Sequence, residues 1–152
     1  MMFTKVAFVL LVLVLAAHAQ TYTRLNDALN FNKRWSRDNT NINPNFFTQH
    51  SSGQSPKIFW LGCSDSRVHP SQAIGLSIGE VFVYRNVANF IDESDIGPTA
   101  ALQFSILVLG VTDVFVVGHT KCGGIKASLD RRNLNGPIQQ WIMKIRKVVN
   151  RN

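Results

Sequence analysis

A chain of 152 residues with 45% hydrophobic and 16% charged residues has enough apolar material for one buried core, which excludes an intrinsically disordered polymer. Its net charge of +7 and pI near 9.9 invite a polyanion partner, but the basic residues are spread along the sequence. The densest group, Lys144, Arg146, Lys147 and Arg151, falls mainly on the polar side of a terminal helix, so a solvated face accounts for it and no nucleic-acid partner is expected.

Residues 1–19 read as a cleaved secretory signal. Lys5 supplies a positive start, Val6 to Leu15 is an unbroken apolar run, and Ala17-His18-Ala19 is a small-residue cleavage pattern. The run is short for a membrane span and polar Gln20-Thr21 follows at once, so no stable span is expected after cleavage. A mature chain starting near Gln20 keeps about 133 residues, and loss of Lys5 lowers its net charge to +6. The implied address is secreted, or another compartment of the secretory or periplasmic type.

Residues 22–37 have helical spacing, with Leu25, Ala28, Leu29 and Trp35 as apolar points. Asn39 to Asn45 is Asn-rich, contains Pro44 and reads as a loop. Phe46-Phe47 opens a short helix that fails by Ser51-Ser52-Gly53. Residues 20–45 are therefore expected to be an N-terminal helical arm that packs on another surface, a second subunit included, and 46–152 the main domain.

Lys57 to Gly62 is a continuous apolar run, as in a strand covered on both faces. Val81 to Tyr84 is a second strand and Val114 to Val117 a third. Between them Pro98 marks a helix start, continued by Ala100 to Leu109 with Gly110 as C-cap. Cys122-Gly123-Gly124 turns the chain into a helix over Ile125 to Leu129, and Gly136-Pro137 starts the last one. There Ile138, Trp141, Ile142, Ile145, Val148 and Val149 form a stripe better explained by core packing than by a cofactor. The alternation predicts an α/β fold: a mainly parallel central β-sheet flanked by helices, with the helical arm at its N-terminus.

In such sheets, sites form beyond the carboxyl ends of strands. Cys63 follows the first strand and His119 the third, with Cys122 three residues on. Two thiolates and an imidazole suit Zn²⁺, and three protein ligands leave the fourth position for water. A disulfide between the only two cysteines is the alternative in an oxidising compartment. It gives no reason for His119, or for Asp65 and Arg67 just after Cys63. An Arg⁺ neighbour keeps such an Asp ionised, able to accept a hydrogen bond from a water held by the metal.

These residues resemble the β-class carbonic anhydrases. The resemblance rests on Gln54-Ser55-Pro56, on Trp60 to Val68 around Cys63-Ser64-Asp65-Ser66-Arg67, on Gly79 to Asn89, and on Gly118-His119-Thr120-Lys121-Cys122-Gly123-Gly124. It implies reversible hydration of CO2 to bicarbonate on Zn²⁺ held by Cys63, His119 and Cys122, with an Asp65–Arg67 dyad. In closed members the Asp leaves Arg and becomes the fourth ligand; in open members water takes that place. The resemblance further implies that Gln54, Phe82, Val87 and Gly123 contact substrate, and that Trp60 and Arg85 match residues binding an inhibitory bicarbonate. Read by themselves, Trp60 is core and Arg85 a loop anchor. The family's sites lie at a dimer interface, so a homodimer or higher homo-oligomer is implied.

Two departures stand out. Phe104 occupies the place of a pocket tyrosine, and the chain stops at Asn152, where family members continue through a further strand and helices. An exposed sheet edge is then expected. Rival readings keep the fold but hydrolyse carbonyl sulfide or carbon disulfide, or keep the metal without catalysis.

Two thiolates neutralise Zn²⁺ formally, so its water ligand should ionise above the ~7 of a three-histidine site. The rate of hydration is therefore predicted to rise towards alkaline pH. A profile flat from neutral to mildly alkaline pH in stopped flow would contradict the assignment.

Overall fold

The computed structural model describes residues 24–130 and 133–150; the proposed signal at 1–19 and Arg151 lie outside them. The chain divides into two compact units, one ending at Ser52 and one beginning at Gly53.

In the first unit residues 24–42 are helical (α1) and Phe46–Ser51 form α2. The helix runs through the Asn-rich segment that composition assigns to a loop. There the side chains bond back along the helix instead of competing with it: Asn39 Nδ2 donates to the Trp35 carbonyl at 2.7 Å and Thr40 Oγ1 to that of Ser36 at 3.0 Å. Only residues 43–45, around Pro44, break it. Trp35 meets Phe46 and Phe47 edge-on at 5.9 and 5.8 Å, and these ring contacts explain why α2 groups with the arm, seven residues beyond the boundary read from sequence.

The second unit holds three parallel strands in the order β2-β1-β3, with β1 at Ile58–Cys63, β2 at Val81–Asn86 and β3 at Asp113–Val117. Short α3 (Pro70–Ile74) and α4 (Ile96–Leu107) make the crossovers, and α5 (Gly123–Leu129) and α6 (Pro137–Val149) follow β3. The composition of the β1–β2 connection gave no prediction for α3, which Pro70 opens from its first turn. Asp95, rather than Pro98, starts α4: its carboxylate accepts from the Gly97 N–H at 3.2 Å.

Apolar density made β1 the central strand. Phe59, Trp60 and Leu61 are 1–3% exposed, and burying each such side chain contributes about 1.5–3 kcal/mol. Phe59 and Leu61 share one face with Phe82, Tyr84 and, from α4, Ala101 and Leu102. A second cluster sits at the carboxyl end of the sheet, where Ile142 and Ile145 of α6 pack with Cys63, Ala88 and Cys122. Of the α6 stripe, Ile142 and Ile145 are core and Trp141 packs against them, whereas Ile138 and Val148 are exposed. On β3, by contrast, Val114, Phe115 and Val116 are all exposed.

Candidate metal centre

The chain leaves β1 for β2 on one side and then crosses to β3 on the other. That reversal opens a crevice at the carboxyl end of β1. The ladder pairs Gly62 with Val117, so Cys63, the last residue of β1, lies level with the loop that carries His119 and Cys122. Cys122 is the N-cap residue of α5, and α5 can approach because residue 124 is glycine. A Cβ there would stand 2.7 Å from Val87 Cγ1 and 3.0 Å from Ala88 Cβ.

The ligand atoms of Cys63, His119 and Cys122 all lie within 4.8 Å of one another. The two Sγ atoms are 3.9 Å apart and unbridged. Tetrahedral coordination with Zn–S near 2.3 Å requires about 3.8 Å between sulfurs. His119 Nδ1 donates to the Thr120 carbonyl at 3.0 Å, a bond that fixes the proton on Nδ1 and leaves the Nε2 lone pair free. Nε2 is buried without a partner among the described residues. An orphaned imidazole nitrogen aimed at two thiols fits a metal ion. The disulfide alternative offers that nitrogen no partner.

Burial pushes the Cys63 thiol up, but hydrogen bonds, led by that from the Asp65 backbone, outweigh it and bring it to about 7. One of these donors was not legible in the sequence. Ala88 N–H reaches Cys63 Sγ at 3.4 Å only because Ala88 takes a left-handed φ of 68° in the 3₁₀ turn Val87–Asn89. Asn86 clamps that turn, its side chain accepting from Phe90 N–H at 2.8 Å and donating to Phe90 O at 2.6 Å. An asparagine ending a strand just before such a turn was the available signal.

Asp65 and Arg67 form the expected pair. Arg67 Nε and Nη2 donate to Oδ1 and Oδ2 at 2.8 and 2.7 Å, and Arg67 N–H adds a bond to Oδ1 at 3.0 Å. These bonds hold the carboxyl well below the usual carboxylate range. Asp65 Oδ2 lies 3.9 Å from His119 Nε2, at the mouth of the centre.

The other sequence-derived positions divide. Gly123 opens α5 with nothing within 4 Å of a would-be Cβ, and Val87 forms the adjoining turn, its carbonyl accepting from Trp141 Nε1 at 2.8 Å. Trp60 is buried core at 3% exposure, with its indole against Gly62. Arg85 donates to the carbonyls of Cys63, Asp65 and Val68 at 2.8, 2.6 and 2.9 Å, which makes it the anchor of the ligand loop. Phe82 and Gln54 are elsewhere. Phe82 stacks with Phe59 and Phe104, and lies about 13 Å along β2 from Asn86, the register partner of Cys63. Gln54 is exposed in the irregular segment before β1, whose first residue is about 16 Å along the strand from Cys63.

Metal binding must displace the proton from each thiol. With Cys63 at about 7, its thiolate fraction grows as pH rises through 7 and shrinks below it. Zinc affinity is predicted to fall about tenfold per pH unit below 7 from the protonation of Cys63. Competition with a chromophoric chelator measures this; constant affinity from pH 7 down to 5 would refute it.

The carbonic anhydrase family model matches residues 58–152. A carbonic anhydrase of Emericella nidulans is 36% identical over 129 residues, covering 85% of this chain and 55% of its own. One from Saccharomyces cerevisiae is 43% identical over 108 residues, covering 70% and 48%. Among solved structures, one of two tetrameric β-carbonic anhydrases from Sordaria macrospora superposes with a TM-score of 0.80 at 34% identity, over 83% of this chain and 64% of that one. The β-carbonic anhydrase CafA of Aspergillus fumigatus gives 0.79 at 36%, over 84% and 61%. The chain spans about half the length of the named relatives it matches. With the Cys63–His119–Cys122 triad at the switch point of a parallel sheet, these matches place the chain in the carbonic anhydrase family, in its β class.

Proposed function

We propose that the chain catalyses the reversible hydration of CO2 to bicarbonate and a proton, on zinc held by Cys63, His119 and Cys122. The observation that carries this is the buried, unpartnered His119 Nε2 facing two free thiols, with an ionised carboxylate at the mouth. Zinc, when bound, would supply a Lewis acid that brings the ionisation of a water ligand far below that of bulk water.

The protein's part follows from lone-pair bookkeeping. An ionised carboxylate offers about four acceptor sites. Arg67 fills two on Oδ1 and one on Oδ2, so the remaining site is on the oxygen nearer His119. Asp65, kept ionised by Arg67, can only accept there. It orients a water by taking its hydrogen bond, and turns the lone pair of that water outward to the substrate. Because Asp65 is turned to Arg67, the fourth ligand position is left to solvent, and we read the resting state as open. Behind the ligands, Ala88, Ile142 and Ile145 keep the centre dry, which strengthens these interactions.

The working form is a homo-oligomer. Gln54 and Phe82 lie at the opposite end of β1 and β2 from Cys63, so the substrate contacts expected of them are in reach only from a second copy. The exposed apolar edge of β3, with Ile96, Leu107 and Val108 near the ends of α4, offers surface for association.

CO2 hydration by stopped flow, with zinc quantified in the same sample and carbonyl sulfide assayed in parallel, tests the activity. One zinc per chain with CO2 turnover is expected; zinc-loaded protein inert towards CO2 overturns the reading. Asp65→Asn should retain zinc and lose about a hundredfold in kcat. Unchanged kcat removes Asp65 from the mechanism.

The shared site has its own test. Gln54→Ala and Asp65→Asn chains are each expected to be impaired alone. Co-expressed and randomly paired, they should recover about a quarter of wild-type activity, because half the pairs are mixed and each mixed pair holds one intact site. No recovery in demonstrably mixed oligomers would show that each site draws both residues from one chain.

A further inference from the structure

The same two sulfurs have a second chemistry open to them. They stand 3.9 Å apart, both are free, and they are only 6% and 7% exposed. A disulfide needs an S–S separation near 2.05 Å, so closure requires an approach of about 1.9 Å. Cys63 is the last residue of the central strand, paired with Asn86 of β2 and following Gly62, which pairs with β3. Cys122 is the side that can give. It follows Lys121, which has a left-handed φ of 56°, and precedes Gly123, around which there is open space.

We propose that the centre is redox-gated: without metal, Cys63 and Cys122 close into an intramolecular disulfide, and reduction reopens the site. The inference rests on the zinc reading above only for the role of the metal as protector. Burial selects the oxidant. Hydrogen peroxide approaches water and CO2 in size, small enough to reach so covered a pair. One thiolate attacks a peroxide oxygen, the O–O bond breaks, and hydroxide leaves as water after taking a proton, giving a sulfenic acid. The second thiolate attacks that sulfur, the S–O bond breaks, and a second water departs. Two thiols are oxidised by two electrons and one peroxide is reduced to two waters. The disulfide removes two of the three metal ligands and leaves His119 alone, so the closed form cannot hold the ion.

The test uses the full chain, stripped of metal by a chelator and exposed to hydrogen peroxide. Alkylation counts free thiols, and mass spectrometry identifies the linkage. The expected result is joint loss of both thiols, a mass lower by two hydrogens, and a Cys63–Cys122 cross-linked peptide within one chain. Dithiothreitol should return both thiols and the zinc-binding capacity. Free zinc held at 100 times its dissociation constant should slow closure about a hundredfold, because only the metal-free fraction reacts. Cys122→Ser should instead gain oxygen at Cys63. Separate sulfinic acids without a cross-link, cross-links only between chains, or a closure rate indifferent to zinc would each overturn the proposal. None of these readouts involves CO2, so failure here and failure of the hydration reading are told apart.

Discussion

Gly62 faces Val117 in the parallel ladder, and that register brings Cys63 beside a loop more than fifty residues away. Side chains alternate along a strand, so a slip of one residue would turn Cys63 to the face occupied by Trp60 and disperse the ligands. The register is held by apolar burial at Phe59 and Leu61, not by the ligands themselves. The hydrophobic core is thus what sets the metal geometry. The site adds a second tier of constraint: Arg85 ties three carbonyls of the Cys63–Val68 loop, so the strand end and the Asp65 turn move as one piece.

Around this register the centre is asymmetric. Its inner side is apolar, with α6 and the Val87–Asn89 turn packed behind the thiols. Its outer side carries the Asp65–Arg67 pair, where Arg67 is largely exposed and Asp65 is mostly covered. A dry back wall keeps electrostatic interactions strong, while a charged mouth supplies one directed acceptor. The pair also separates two tasks that a bare carboxylate would confuse. Arg67 takes three acceptor sites of the Asp65 carboxylate and leaves one on the oxygen that lies 3.9 Å from His119 Nε2.

The metal ligands were legible from sequence because each follows a short apolar strand run, and strand ends in parallel sheets converge. The Asp65–Arg67 pair was legible for a local reason: two residues apart in a tight turn, they meet whatever the rest of the fold does. Helix α1 misled where composition stood in for context, since Asn39 and Thr40 satisfied their side chains along the helix. The role of Ala88 was hidden because alanine carries no functional group. Its contribution is a backbone N–H aimed by an unusual φ, and backbone direction is not written in residue type.

What the sequence determined by itself was chemical and local: which donors exist, that they sit at strand ends, and which helix face is apolar. Tertiary structure decided the distances. It set two sulfurs at a separation suited to a shared ion, left one imidazole nitrogen without a partner among the described residues, and placed Phe82 at the far end of β2 from the residue level with Cys63. The reason is that residue type and spacing are read along the chain, whereas register, strand order and the direction of a backbone N–H arise only when distant segments pack.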